Sequence, residues 1–171
     1  MMCANLPAPR AWTLRRLALS LVVLATLAVP RAHAAAKASV AEVESAFRGF
    51  VQAWEHKDLA AATAIFTPDA VVYDPVGPGI FATPEAIRGW TADSFKNLGD
   101  IHITDTDLVT HVSGSAAWMT MHYVFSTSVD GKPLIDDGHL TLVWVKQPDG
   151  AYKIAVFHAS NPPPPPPADK K

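Results

Sequence analysis

Cysteine is almost missing from this sequence, and its one occurrence, Cys3, precedes an apolar run over residues 17–29. A chain cleaved after that run keeps no thiol, no disulfide and no cysteine metal ligand, even in an oxidising compartment. Concentrated positive charge is also lacking. All 16 acidic residues lie after residue 34, whereas Arg10, Arg15, Arg16 and Arg31 lie before it, so the remainder carries a net charge of -6. That balance argues against nucleic acid as a partner, because phosphate binding needs clustered lysine and arginine. No apolar run reaches the roughly 20 residues that a membrane-spanning helix requires. P-loop, dinucleotide-binding and serine-elbow motifs are absent, as is any H-x-x-x-H pair, so no cofactor and no tightly bound metal are expected.

What is present divides into three parts. Residues 1–34 read as a signal peptide: basic residues, the short apolar run, then Ala32-His33-Ala34 as a small-x-small cleavage site. The expected product is exported, periplasmic or secreted, begins at about Ala35 and has no membrane association after cleavage. Residues 162–171 open with six consecutive prolines, which supply no backbone N–H, and are expected to form a disordered tail. Residues 38–161 remain as one domain, large enough to bury a core without staples.

Within that domain, Ser39-Val40-Ala41-Glu42 has the form of a capping box, and Val40, Val43, Phe47, Phe50, Val51 and Trp54 follow at helical spacing. Asp58 can cap a shorter helix reaching Phe66. Thr67-Pro68-Asp69 reads as a turn, and Ala70 to Tyr73 as a short strand ending at Asp74-Pro75. Thr83-Pro84-Glu85 starts a third helix, with Ile87, Trp90, Phe95 and Leu98 on its apolar side. From Asp100 onward, turn signals at Ser113-Gly114, Asp130-Gly131 and Pro148-Asp149-Gly150 separate four antiparallel strands. Helices first and strands afterwards indicate an α+β domain. Large apolar side chains occur at both odd and even positions of residues 116–125. One sheet face can meet the helices, so the other is expected to meet a second subunit in a homodimer.

The histidines form a possible constellation. A two-residue loop at Asp130-Gly131 sets His122 opposite His139, a four-residue loop over 147–150 sets His139 opposite His158, and a turn at Ser113-Gly114 sets Asp105 opposite His122. Such a row could bind a metal, hold a carboxylate ligand or titrate near neutrality. One extra residue or a bulge would turn a histidine to the other face.

The stretch Phe66-Thr67-Pro68-Asp69-Ala70-Val71-Val72-Tyr73-Asp74-Pro75-Val76-Gly77, with Ala86-Ile87-Arg88, resembles the nuclear transport factor 2-like (NTF2-like) superfamily, and within it the SnoaL-like and ketosteroid isomerase-like proteins. Thr141-Leu142-Val143-Trp144, Asp149 to Ile154 and His158-Ala159-Ser160 are similar to its kinase association-domain branch. The resemblance covers nearly all of residues 40–161. It implies a cone, with three N-terminal helices packed on a strongly curved antiparallel sheet and a pocket at the wide end. It also implies Asp74 as general base, since an aspartate followed by Pro-Val-Gly has that role in ketosteroid isomerases. The oxyanion tyrosine of those enzymes falls at Phe50, the supporting tyrosine at Thr91, and the second aspartate near His139. Ordinary steroid isomerisation is therefore not expected.

Two function classes follow. One is an exported binder, or a cofactor-independent isomerase or lyase, with Asp74 catalytic and a small, partly apolar ligand held by Phe50, Trp54, Tyr73, Trp90, His122, His139 and His158. The other is a noncatalytic dimeric assembly domain. An open cavity containing Asp74 favours the first class, and a filled cone the second.

Overall fold

The computed structural model describes residues 39–75 and 79–162. The expected signal peptide and cleavage site, Val76-Gly77-Pro78 and residues 163–171 lie outside them.

Helix α1 (Val40–Glu55) starts at Ser39, whose hydroxyl accepts from the Glu42 N–H. Phe47, Phe50, Val51 and Trp54 recur at helical spacing and are all buried, so one side of the helix faces the core. Asp58 caps α2 (Leu59–Ala64) through the Ala61 N–H. This helix ends before Phe66, which is already in a strand. Helix α3 (Pro84–Asn97) opens with Thr83 as cap and proline in its first turn.

Strands β1 (Phe66–Tyr73), β2 (Ile80–Phe81), β3 (His102–Ser113), β4 (Ala116–Val129), β5 (Lys132–Lys146) and β6 (Tyr152–Ser160) form one sheet in the order β2-β1-β6-β5-β4-β3. The helices pack on this six-stranded sheet in an α+β arrangement consistent with the expected cone. One correction concerns strand direction. β3 to β6 form the antiparallel meander, but β1 lies parallel to β6, so the sheet is mixed. A hairpin forces its strands to be antiparallel, whereas β1 meets β6 only after the whole meander and is free of that constraint. A second correction concerns Thr67-Pro68-Asp69, which is no turn. These residues lie inside β1, where the register with β6 shifts between Phe66 and Val71, and Pro68 and Asp69 are exposed at the irregularity.

The core lies between α1 and the inner sheet face. Trp144, Phe47, Met119 and Leu142 are at most 1% exposed. Along β4, Ala117, Met119, Met121 and Tyr123 are buried, while Trp118 and Thr120 between them are exposed. This two-residue period identifies the inner and outer faces. Among the described residues no helix is long and apolar enough to cross a membrane.

Candidate functional site

A cavity of about 190 Å³ opens between α1, α3 and the inner faces of β4, β5 and β6. Its aromatic wall consists of Phe50 and Trp54 from α1, Trp90 from α3, Phe125 from β4 and Phe157 from β6. The rings are in mutual contact: Trp54 lies 5.0 Å from Trp90 and 6.3 Å from Phe125, and Phe157 lies 6.0 Å from Trp90 and 6.1 Å from Phe50. Edge-to-face and tilted contacts of this kind fix ring positions beyond what apolar burial alone achieves.

Asp74 lines this cavity at the end of β1. Its backbone N–H donates to the Gly79 carbonyl at 3.1 Å, which closes the loop after the strand. The Trp90 indole N–H donates to Asp74 Oδ2 at 2.7 Å. Because α3 is started by Thr83 and Pro84, Trp90 falls two turns into the helix, where its ring stacks on Phe81 at 5.6 Å. The carboxylate is thereby oriented by a donor that is itself clamped.

Three polar residues of the site escaped the sequence reading. Tyr123 and Asp136 both line the cavity, and the Tyr123 hydroxyl donates to Asp136 Oδ2 at 2.7 Å, with Asn161 Oδ1 at 3.3 Å. The Asp130-Gly131 loop, with positive φ at both residues, pairs Phe125 with Asp136 and Tyr123 with Gly138. The signal was available in the alternation Met119, Met121, Tyr123, Phe125 against Leu134, Asp136, Gly138, Leu140.

Burial raises the Tyr123 phenol well above its ordinary range, and the Asp136 carboxylate adds to the shift. Since the folded value exceeds the unfolded one of 10.0, this group's stabilisation is complete below pH 10 and declines as pH rises above it. In an absorbance titration at alkaline pH, one of the three tyrosines is expected to resist ionisation until the chain unfolds. Tyr123→Phe should remove that class and flatten the alkaline loss of stability; an unchanged titration would contradict the assignment.

The sequence-derived site residues divide between the two faces of the sheet. Asp74, Phe50, Trp54 and Trp90 come together around the cavity. Tyr73, His122, His139 and His158 are not among its lining residues. Strand alternation is the reason: Phe157 and Ala159 line the cavity on either side of His158, Met121 and Tyr123 on either side of His122, and Leu140 follows His139. On the outer face, His122 stands opposite His139 with ring centroids 5.7 Å apart, and its Nε2 lies 2.6 Å from Asp137. His158 instead pairs with Thr141 and packs against Tyr73 at 5.4 Å, while His139 pairs with Ser160. Asp105 pairs with Tyr123 rather than His122 and forms an ion pair with Arg48 of α1. The expected four-residue row is therefore broken at both ends. Among the described residues no group of three histidine, cysteine or acidic side chains could hold a metal ion.

At the two remaining positions, Phe50 offers no hydroxyl, and Thr91 is fully buried with its hydroxyl donating to the Ile87 carbonyl at 2.8 Å.

Residues 43–164 match the sequence profile of the SnoaL-like domain. No curated protein matches the chain. Among solved structures, a dehydratase candidate of the NTF2-like family from Streptomyces avermitilis is 22% identical, with a TM-score of 0.67 over 73% of this chain and 96% of the other. An NTF2-like superfamily protein from Salmonella enterica is 17% identical, with a TM-score of 0.66 over 77% of this chain and 96% of its own. A ketosteroid isomerase-like protein from Erwinia carotovora atroseptica is 19% identical, with a TM-score of 0.63 over 72% and 96% respectively. At these identities the likeness is one of fold.

Proposed function

The chain belongs to the SnoaL-like domain family, and we propose that it is an exported homodimer whose cavity binds a small, partly apolar molecule and moves a proton on it with Asp74 as base. The observation that carries this reading is the Asp74 carboxylate at the wall of an aromatic cavity, oriented by Trp90 Nε1. A packed, noncatalytic assembly domain has no need of such a space.

The chemistry follows from the surroundings of Asp74. A carboxylate oriented by Trp90 at this aromatic wall can accept a proton from a carbon next to a carbonyl group, then return it to another atom of the same molecule. Steroid isomerisation is not the reaction proposed, given Phe50 and Thr91.

Dimerisation is supported by the outer sheet face, where Val109, Trp118 and Ile135 are 47%, 42% and 68% exposed. Export is supported by residues 1–34. Native mass spectrometry of protein purified from its own exported compartment tests these parts together. The expected species is a dimer of chains beginning near Ala35, with a small molecule released on activation. Retention of Met1 would reject processing, a monomer at about ten micromolar would reject the dimer, and a ligand-free species that binds no ketone in solution would reject the pocket reading.

A further inference from the structure

The cavity's polar groups are unusual in sign. Among the described residues that line it are two carboxylates, Asp74 and Asp136, and no lysine, arginine or histidine. An organic acid therefore meets two like charges there.

Asp136 is placed to do something other than the chemistry assigned to Asp74. Its Cα partner across the strands is Phe125, whose ring stands edge-on to Trp54 at 6.3 Å and an interplanar angle of 80°. Its Oδ2 accepts from Tyr123, and its Oδ1 accepts no hydrogen bond among the described residues. Tyr123 remains protonated at neutral pH and so stays a donor to that carboxylate. The result is a carboxylate set beside an aromatic wall, with one oxygen fixed and the other available.

Aromatic faces beside a carboxylate recognise one ligand chemistry well, namely an organic ammonium group, which gains from the ring quadrupoles and from the negative charge together. Trp54, 5% exposed, belongs to the same wall. We propose that the ligand is a carbonyl compound bearing an organic ammonium group, with the cation between Asp136 and the aromatic wall. This rests on the pocket reading above and narrows it: Asp74 handles the proton, and Asp136 selects charge.

The test uses three phenyl ketones that share a propyl chain and differ only in its end group: dimethylammonium, isopropyl or carboxylate. Binding to the full mature protein is followed by quenching of tryptophan emission, since Trp54 and Trp90 line the cavity. The ammonium ketone is expected to bind at least about tenfold more tightly than its isopropyl isostere, and the carboxylate ketone most weakly. In Asp136→Asn the preference for ammonium over isopropyl should shrink to about threefold or less, with isopropyl binding little changed. That unchanged binding also reports that the variant is folded. The comparison in the unaltered protein decides the matter should the variant fail to fold. Equal or tighter binding of the isopropyl or carboxylate ketone overturns the ammonium assignment and leaves the pocket reading standing. If none of the three binds, both fall.

Discussion

Asp74→Asn is expected to lower proton exchange at the carbon beside a bound ketone by at least about 100-fold, since a positioned general base commonly supplies a factor of 100 to 10,000. Its stability should change by less than about 1 kcal/mol. The asparagine keeps a carbonyl oxygen for the Trp90 indole N–H, and the bond that closes the loop runs from the backbone of residue 74 to Gly79. What disappears is the ability to accept a proton. Deuterium uptake into a phenyl alkyl ketone, followed by NMR alongside urea unfolding of both proteins, separates the two effects. Equal uptake in the variant, or a large stability loss with no measurable uptake in the parent, would leave Asp74 as a residue that shapes the turn before Pro75.

Asp74 and its aromatic neighbours could be read from the sequence because each is set by local information. Phe50 and Trp54 follow from helical spacing after a capped start, and Trp90 follows from the Thr83-Pro84 start of α3. The Asp130-Gly131 hairpin was legible for the same reason, since that dipeptide tolerates the positive φ values of 51° and 75° that the turn requires.

Register elsewhere was not local. The turn between β3 and β4 uses Gly114 and Ser115, one residue later than the Ser113-Gly114 signal, and this alone preserves which side chains share a face. The irregularity between Thr106 and Val109, where Asp107 takes a φ of 55°, then adds an odd step and sends Asp105 inward to Arg48. An aspartate in a strand does not announce such a bulge. Similarly, the connection from β5 to β6 spans 147–151 rather than 147–150, and a further shift between Val143 and Trp144 moves His158 away from His139. Tyr123 from β4, Asp136 from β5 and Asn161 just beyond β6 meet only through strand pairing, so no short motif marks them.

Gly138 is the residue that lets those three meet, and Gly138→Ala is expected to destabilise the protein by about 1–3 kcal/mol through overpacking. A Cβ there would lie 2.4 Å from the Ser160 carbonyl oxygen and 2.8 Å from Asn161 Oδ1. The first of these atoms is backbone in a paired strand end, where His139 and Ser160 are partners, so it cannot swing aside as a flexible side chain would. Relief requires the end of β6 to move away from β5, which carries Asn161 away from the Tyr123 hydroxyl. The shorter Tyr123 bond to Asp136, at 2.7 Å, runs to β5 itself and should survive. Urea unfolding measures the stability loss, and hydrogen exchange should show faster opening at residues 158–161 than in the centre of β5. A loss below about 0.5 kcal/mol, the range of ordinary surface substitutions, would mean that β6 does not pack this closely at its end in solution.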